Sequence, residues 1–144
     1  MESAKRFMAL YHRMRLTVYR RLLHRTGTLS TADAFAADVI YLLEQPTLTQ
    51  FAGEMGISQP SATYRVNELA QKGVVEKLTS PSDRRECRLQ VGAEYRRKTL
   101  EAPGRIDRLL NQLSHRFSPQ QLDTTAAVLD AFLTALEQEE DNTQ

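Results

Sequence analysis

A mainly α-helical fold with a small β-hairpin wing is predicted by three observations. Between Thr49 and Val91 two short helical patterns meet at Gly56. The apolar period then changes from helical to alternating over residues 75–91. On both sides, long stretches repeat large apolar residues at helical spacing. Helix, turn, helix and hairpin in that order make a winged helix-turn-helix, here with helices before and after it. The expected organisation is one domain over residues 1–144: about 30–92 as the winged part, about 1–29 and 93–144 as helices that hold two copies together.

The first helix is expected from about Ser3 to Arg25, with Phe7, Leu10, Tyr11, Met14, Val18 and Leu22 along one stripe and arginines between them. An Arg-rich, acid-poor start also fits an organelle targeting peptide, but the unbroken apolar stripe argues for a folded helix. A second helix is expected over Ser30–Gln45 with Phe35, Val39, Leu42 and Leu43 inward. Thr49 is taken as the cap of the third, in which Phe51, Ala52 and Met55 share a side before Gly56 ends it in the left-handed conformation.

Ser58 starts the next helix, with Pro60 in the first turn, where a missing N–H costs nothing. Ala62, Val66 and Leu69 form its buried stripe, which turns Pro60, Ser61, Thr63, Tyr64 and Asn67 outward or to the flanks, and Gly73 ends it. Small hydrogen-bonding side chains near a helix N-terminus are what a recognition helix needs in a groove about 12 Å wide. Val75 and Lys77 then alternate with Glu76 and Leu78, and after the Ser/Pro/Asp-rich tip a second strand covers Arg88–Val91. The tip bears Asp83, Arg84 and Arg85, and an arginine held extended by a neighbouring carboxylate suits a narrow, electronegative minor groove. A further helix from near Ala93 is broken at Pro103-Gly104. Ile106, Leu109, Leu110, Leu113 and Phe117 continue at helical spacing, Ser118-Pro119 restarts the chain, and Leu122, Ala126, Leu129, Phe132, Leu133 and Leu136 stripe the last helix.

The run Ser58-Gln59-Pro60-Ser61-Ala62-Thr63, Leu69 with Lys72-Gly73, and Asp83-Arg84-Arg85 with Leu89 resemble the MarR family of bacterial winged-helix regulators over about residues 48–91. The resemblance implies a cytoplasmic, homodimeric transcriptional regulator of double-stranded DNA, a repressor released by a small aromatic or acyl effector. DNA contacts then fall to Ser58, Gln59, Pro60, Ser61, Thr63, Tyr64, Arg65 and Asn67 on the helix and to Asp83, Arg84 and Arg85 on the wing. An effector between dimer frame and winged part would meet Tyr11, His12, Arg15, Tyr19, Phe35 and Tyr41, where aromatic rings with a few polar groups suit an organic anion. Two departures stand out: Gly92 replaces the threonine usual after the wing, and Tyr64 stands where a basic residue is common, with Arg65 one place later.

The net charge of +1 conceals an asymmetry. Residues 1–25 carry seven Lys/Arg against Glu2, and residues 58–98 nine against five acids. Residues 26–57 hold four acids and no base, and residues 99–144 eight acids against three arginines. Positive charge thus gathers where phosphate contact is expected. The apolar runs fall far short of the ~20 residues of a membrane span. No cofactor, metal site or catalytic group is indicated: His12, His24 and His115 lie on different helices, and no glycine-rich phosphate loop is present. A single cysteine, Cys87, forms no internal disulfide and suits a reducing compartment. Two other readings stay open: a winged-helix protein-interaction module without DNA binding, and a regulator that senses oxidants through Cys87.

Overall fold

The computed structural model describes residues 1–23, 29–79, 87–100 and 105–142. The chain forms two compact units, Met1–Glu101 and Ala102–Gln144. The first contains α1 (Glu2–Leu23), α2 (Thr31–Leu42), α3 (Leu48–Met55), α4 (Gln59–Gln71), β1 (Val75–Thr79), β2 (Cys87–Val91), and the short α5 (Ala93–Tyr95) running into a π-helical turn, Arg96–Leu100. The second contains α6 (Arg105–Ser114) and α7 (Pro119–Asp141). This is the mainly α fold with a two-stranded hairpin that the sequence predicts.

The core of the first unit joins Ala36, Ala37 and Ile40 of α2 to Phe51 of α3, to Ala62, Val66 and Leu69 of α4, and to Val75, Leu89 and Val91 of the hairpin. On α2 the expected inward face is corrected at Phe35 and Leu42, whereas Val39 does pack against the core. Phe35 is 49% and Leu42 73% exposed in the single chain, while Ala34, Ala36, Ala37 and Ile40 are buried together with Asp33 and Asp38. Residues 34–43 are apolar nearly all round, so periodicity does not select a face there. The small alanines fill the interior because they let α3 and β2 approach closely. The helix also ends earlier than Gln45: Glu44 and Gln45 take positive φ values of 51° and 68°, turning the chain into the buried Pro46.

The cap of α3 is Thr47, not Thr49. Thr47 accepts from the Gln50 N–H at 3.2 Å and the Gln50 side chain accepts from the Thr47 N–H at 2.9 Å, a reciprocal capping box that Thr49, with Ala52 three residues on, cannot make. Both helices of the pair end in the same motif. At Gly56 (φ 63°) the Ile57 N–H returns to Ala52 O, and at Gly73 (φ 71°) the Val74 N–H returns to Leu69 O.

The strands pair antiparallel with Val75 opposite Val91 and Lys77 opposite Leu89, and β2 begins at Cys87, one residue before the expected start. A third backbone segment joins them. The Leu89 N–H donates to Pro46 O at 2.8 Å, Arg88 reaches Gln45 O at 3.2 Å, and Gln45 donates to the Gln90 side chain at 2.8 Å. The base of the wing is therefore fixed to the turn that precedes α3. In the second unit, Ser118 and Gln121 form a capping box that starts α7 beside Pro119. Leu109, Leu110 and Leu113 of α6 and Leu129, Phe132, Leu133 and Leu136 of α7 are all exposed in the single chain, as are Leu10, Met14 and Leu16 of α1.

Candidate nucleic-acid interface

The exposed face of α4 follows from its buried stripe. Ala62, Val66 and Leu69 are fully enclosed, so helical geometry sends Ser61, Thr63, Tyr64 and Asn67 to solvent together with Ser58, Gln59 and Pro60. Ser58 caps the helix, accepting from the Ser61 N–H at 3.3 Å while its hydroxyl donates to Ser61 Oγ at 2.9 Å. Gln59 has an internal duty as well: its Nε2 donates to Thr49 Oγ1 at 2.7 Å and ties α4 to α3. Thr63 donates to Gln59 O at 2.9 Å, which leaves its hydroxyl free to accept. The Tyr64 hydroxyl donates to Glu68 at 3.0 Å, and that carboxylate pushes the phenol above its ordinary pKa. Tyr64 thus presents a neutral aromatic face. A shallow groove of about 560 Å³ is lined by Ile57, Pro60, Ser61, Tyr64 and Arg65.

Arg65, expected among the DNA contacts of the helix, is turned partly inward. It is half-buried and its Nη1 lies 3.4 Å from Oδ1 of Asp33 on α2, while Lys72 Nζ lies 2.7 Å from Oδ2. Sequence reasoning missed the pairing of Asp33 with Lys72 and Arg65 and the parallel pair of Arg21 with Asp38. An acid at the third position of a helix reads as a local capping group, and Asp33 does bond to Ser30 through its N–H at 3.1 Å. Nothing local marks partners 32 and 39 residues away. The bond from Lys72 holds the Asp33 carboxyl below its ordinary pKa in spite of burial, and Asp33 raises that of Lys72. At the edge of the face, Lys77 of β1 donates to Oδ1 of Asn67.

The wing tip, with Asp83, Arg84 and Arg85, lies outside the described residues, as does His24. Cys87 is half-buried at the start of β2. Of the effector residues, Tyr11, Arg15 and Tyr19 gather on α1: the Arg15 guanidinium sits 5.3 Å from the Tyr11 ring centre and 5.7 Å from that of Tyr19, and donates to the Tyr19 hydroxyl at 3.0 Å, which raises the arginine pKa further. The His12 ring lies 5.9 Å from that of Tyr11. Tyr41 is placed elsewhere, lining a cavity of about 570 Å³ with Ile40, Glu44, Gln45, Gln90 and Arg96 among its walls. Among the described residues no group of three or more His, Cys, Asp or Glu could hold a metal ion, and no helix is long and apolar enough to cross a membrane.

A helix pair locked by two left-handed glycine turns, followed by a hairpin sealed against the preceding loop, defines a winged helix-turn-helix protein. Residues 39–87 match the sequence profile of the MarR family. No curated sequence matches it. Solved structures do: FabT from Streptococcus pneumoniae in complex with DNA (TM-score 0.55, 19% identity, 99% of each chain covered), a MarR-like transcriptional regulator from Thermotoga maritima (0.55, 18%, 95% of this chain and 98% of that one), and the adhesin competence repressor AdcR from Streptococcus pyogenes (0.51, 18%, 93% and 97%). At these identities the likeness is one of fold.

Proposed function

We propose that the protein is a sequence-specific DNA-binding transcriptional regulator of the cytoplasm, a homodimeric repressor that a small organic ligand releases from an inverted-repeat operator. The observation that carries this reading is the face of α4: small polar groups and one aromatic ring exposed over its first two turns, with the apolar stripe enclosed behind them. FabT, of the same fold, has been solved bound to DNA, and AdcR is described as a repressor. Residues 30–92 form the winged part, and residues 1–29 and 93–144 the dimerisation frame. Ser61, Thr63, Tyr64 and Asn67 read the major groove, and Arg85, supported by Asp83, enters the minor groove.

Selection of binding sites from random DNA, followed by affinity measurements on the winning sequence, tests the reading. A symmetric site is expected, with Arg85→Ala weakening binding and leaving the circular dichroism unchanged. No enrichment of any sequence, with no salt-dependent DNA binding, overturns it in favour of a protein-interaction module.

A further inference from the structure

We infer that Arg65 is a backbone-phosphate contact held in reserve by Asp33, which acts as a positioning residue; the inference rests on the DNA-binding reading above. Arg65 occupies the border of α4, where it lines the exposed groove with Pro60, Ser61 and Tyr64 and at the same time reaches back to α2. Its 3.4 Å approach to Asp33 Oδ1 is longer than the ~2.7–2.9 Å of a strong charge-assisted bond, and its side chain is 32% exposed. Asp33 is 5% exposed and cannot follow an outward movement. Lys72, two helical turns along α4, holds the other carboxylate oxygen at 2.7 Å. When Arg65 leaves, the buried carboxylate keeps a cation. That is the asymmetry an exchange requires: a fixed acid, one tight cation and one loose cation that already borders the reading face.

In the free protein the pair withholds one positive charge from the surface of α4. At a phosphate the guanidinium gains a two-pronged, charge-assisted contact, against the loss of a partly solvated pair that opposes binding by about two- to fivefold. The lysine stays behind as the counter-ion of Asp33. Tyr64, one residue earlier, remains free to face bases.

The test is the slope of log K against log salt on the sequence selected by the wild-type protein. Arg65→Ala flattens the slope by about 0.9, the value for one phosphate contact, and Arg65→Lys keeps it. Asp33→Asn tightens binding about two- to fivefold at unchanged slope, and the gain vanishes in the Arg65→Ala background. An acid that serves only the fold weakens binding equally in both backgrounds, and that result overturns the inference. So does an Arg65→Ala slope equal to wild type. If Asp33→Asn does not fold, the two Arg65 variants decide alone. Wild-type protein that binds no DNA overturns the functional reading together with this one, whereas salt-dependent binding indifferent to Arg65 overturns only this one.

Discussion

The Lys77 ammonium, on the first strand of the hairpin, donates to the Oδ1 of Asn67 on the exposed face of α4. That bond takes one of the two lone pairs of the Asn67 oxygen and leaves its NH2 group open to a base. The bidentate pairing of an asparagine with adenine uses both ends of the amide, so Lys77 shares the oxygen that such a pairing would need. Wing and reading helix are joined through this bond.

The first expectation concerns that pair. Asn67→Ala relaxes preference at one operator position by ~1–3 kcal/mol. Lys77→Ala lowers affinity on every sequence through a lost cation, and it also shifts preference at the Asn67 position because the amide is released to turn. Selection profiles for both variants and for the double variant check this; strictly additive effects, with no shared position, contradict the coupling.

The second expectation is a pH dependence. Lys72 holds Asp33 below the ordinary carboxylate value of 3.8, so the stabilisation from this group is complete above that value and is lost as pH falls through the lower folded value. The raised Lys72 value acts on the alkaline side, where the same bond is lost as pH climbs through it. Asp33→Asn should cost about 1–2 kcal/mol near neutrality, between a charged hydrogen bond and an exposed pair. Urea unfolding of both proteins from pH 2 to 7 decides the matter. Parallel stability curves down to pH 2 would remove Asp33 from the account.

These two relationships mark where the sequence was legible and where it was not. Gly56, Ser58 and Gly73, and the stripe of Ala62, Val66 and Leu69, act within one or two turns, so their spacing alone reveals them. The Thr47 cap was legible too, since Gln50 completes its box three residues on, but the neighbouring Thr49 drew the assignment. The inward face of α2 was not, because a segment apolar on every side takes its orientation from what packs on it. The charge pattern misleads in a related way. Of the four acids in residues 26–57, Asp33 and Asp38 are buried against Arg65, Lys72 and Arg21. Part of the positive charge counted toward phosphate contact is therefore matched within the fold.

The third expectation concerns assembly. Leu129, Leu133 and Leu136 recur on α7 and stand exposed in the single chain, and an apolar surface of that kind calls for a cover. A two-fold dimer would supply it, and two-fold pairing of the winged parts on DNA would call for copies of α4 one DNA turn apart, ~34 Å. Leu133→Glu should convert a micromolar dimer into a monomer in sedimentation, with operator affinity lowered at least tenfold through loss of the second half-site. A wild-type monomer at that concentration, or a variant that remains dimeric, places the cover elsewhere.

The last expectation concerns the effector and separates two places that the sequence had joined. On α1, Arg15 lies between the rings of Tyr11 and Tyr19 and already donates to the Tyr19 hydroxyl, a ready partner for the carboxylate of a flat acid. The cavity that contains Tyr41 offers instead Arg96, Glu44 and two amide side chains, and its volume suits a small organic ligand. Phe35, 49% exposed in the single chain, does not line that cavity. A ligand regulates only if its affinity differs between DNA-competent and incompetent states. Aromatic acids and acyl thioesters should therefore be titrated against the operator complex, and any active compound retested on Arg15→Ala and Tyr41→Ala. If the α1 cluster is the site, Arg15→Ala raises the effective concentration about tenfold and Tyr41→Ala leaves it unchanged. The reverse pattern assigns the effector to the cavity, and equal potency on all three proteins removes both.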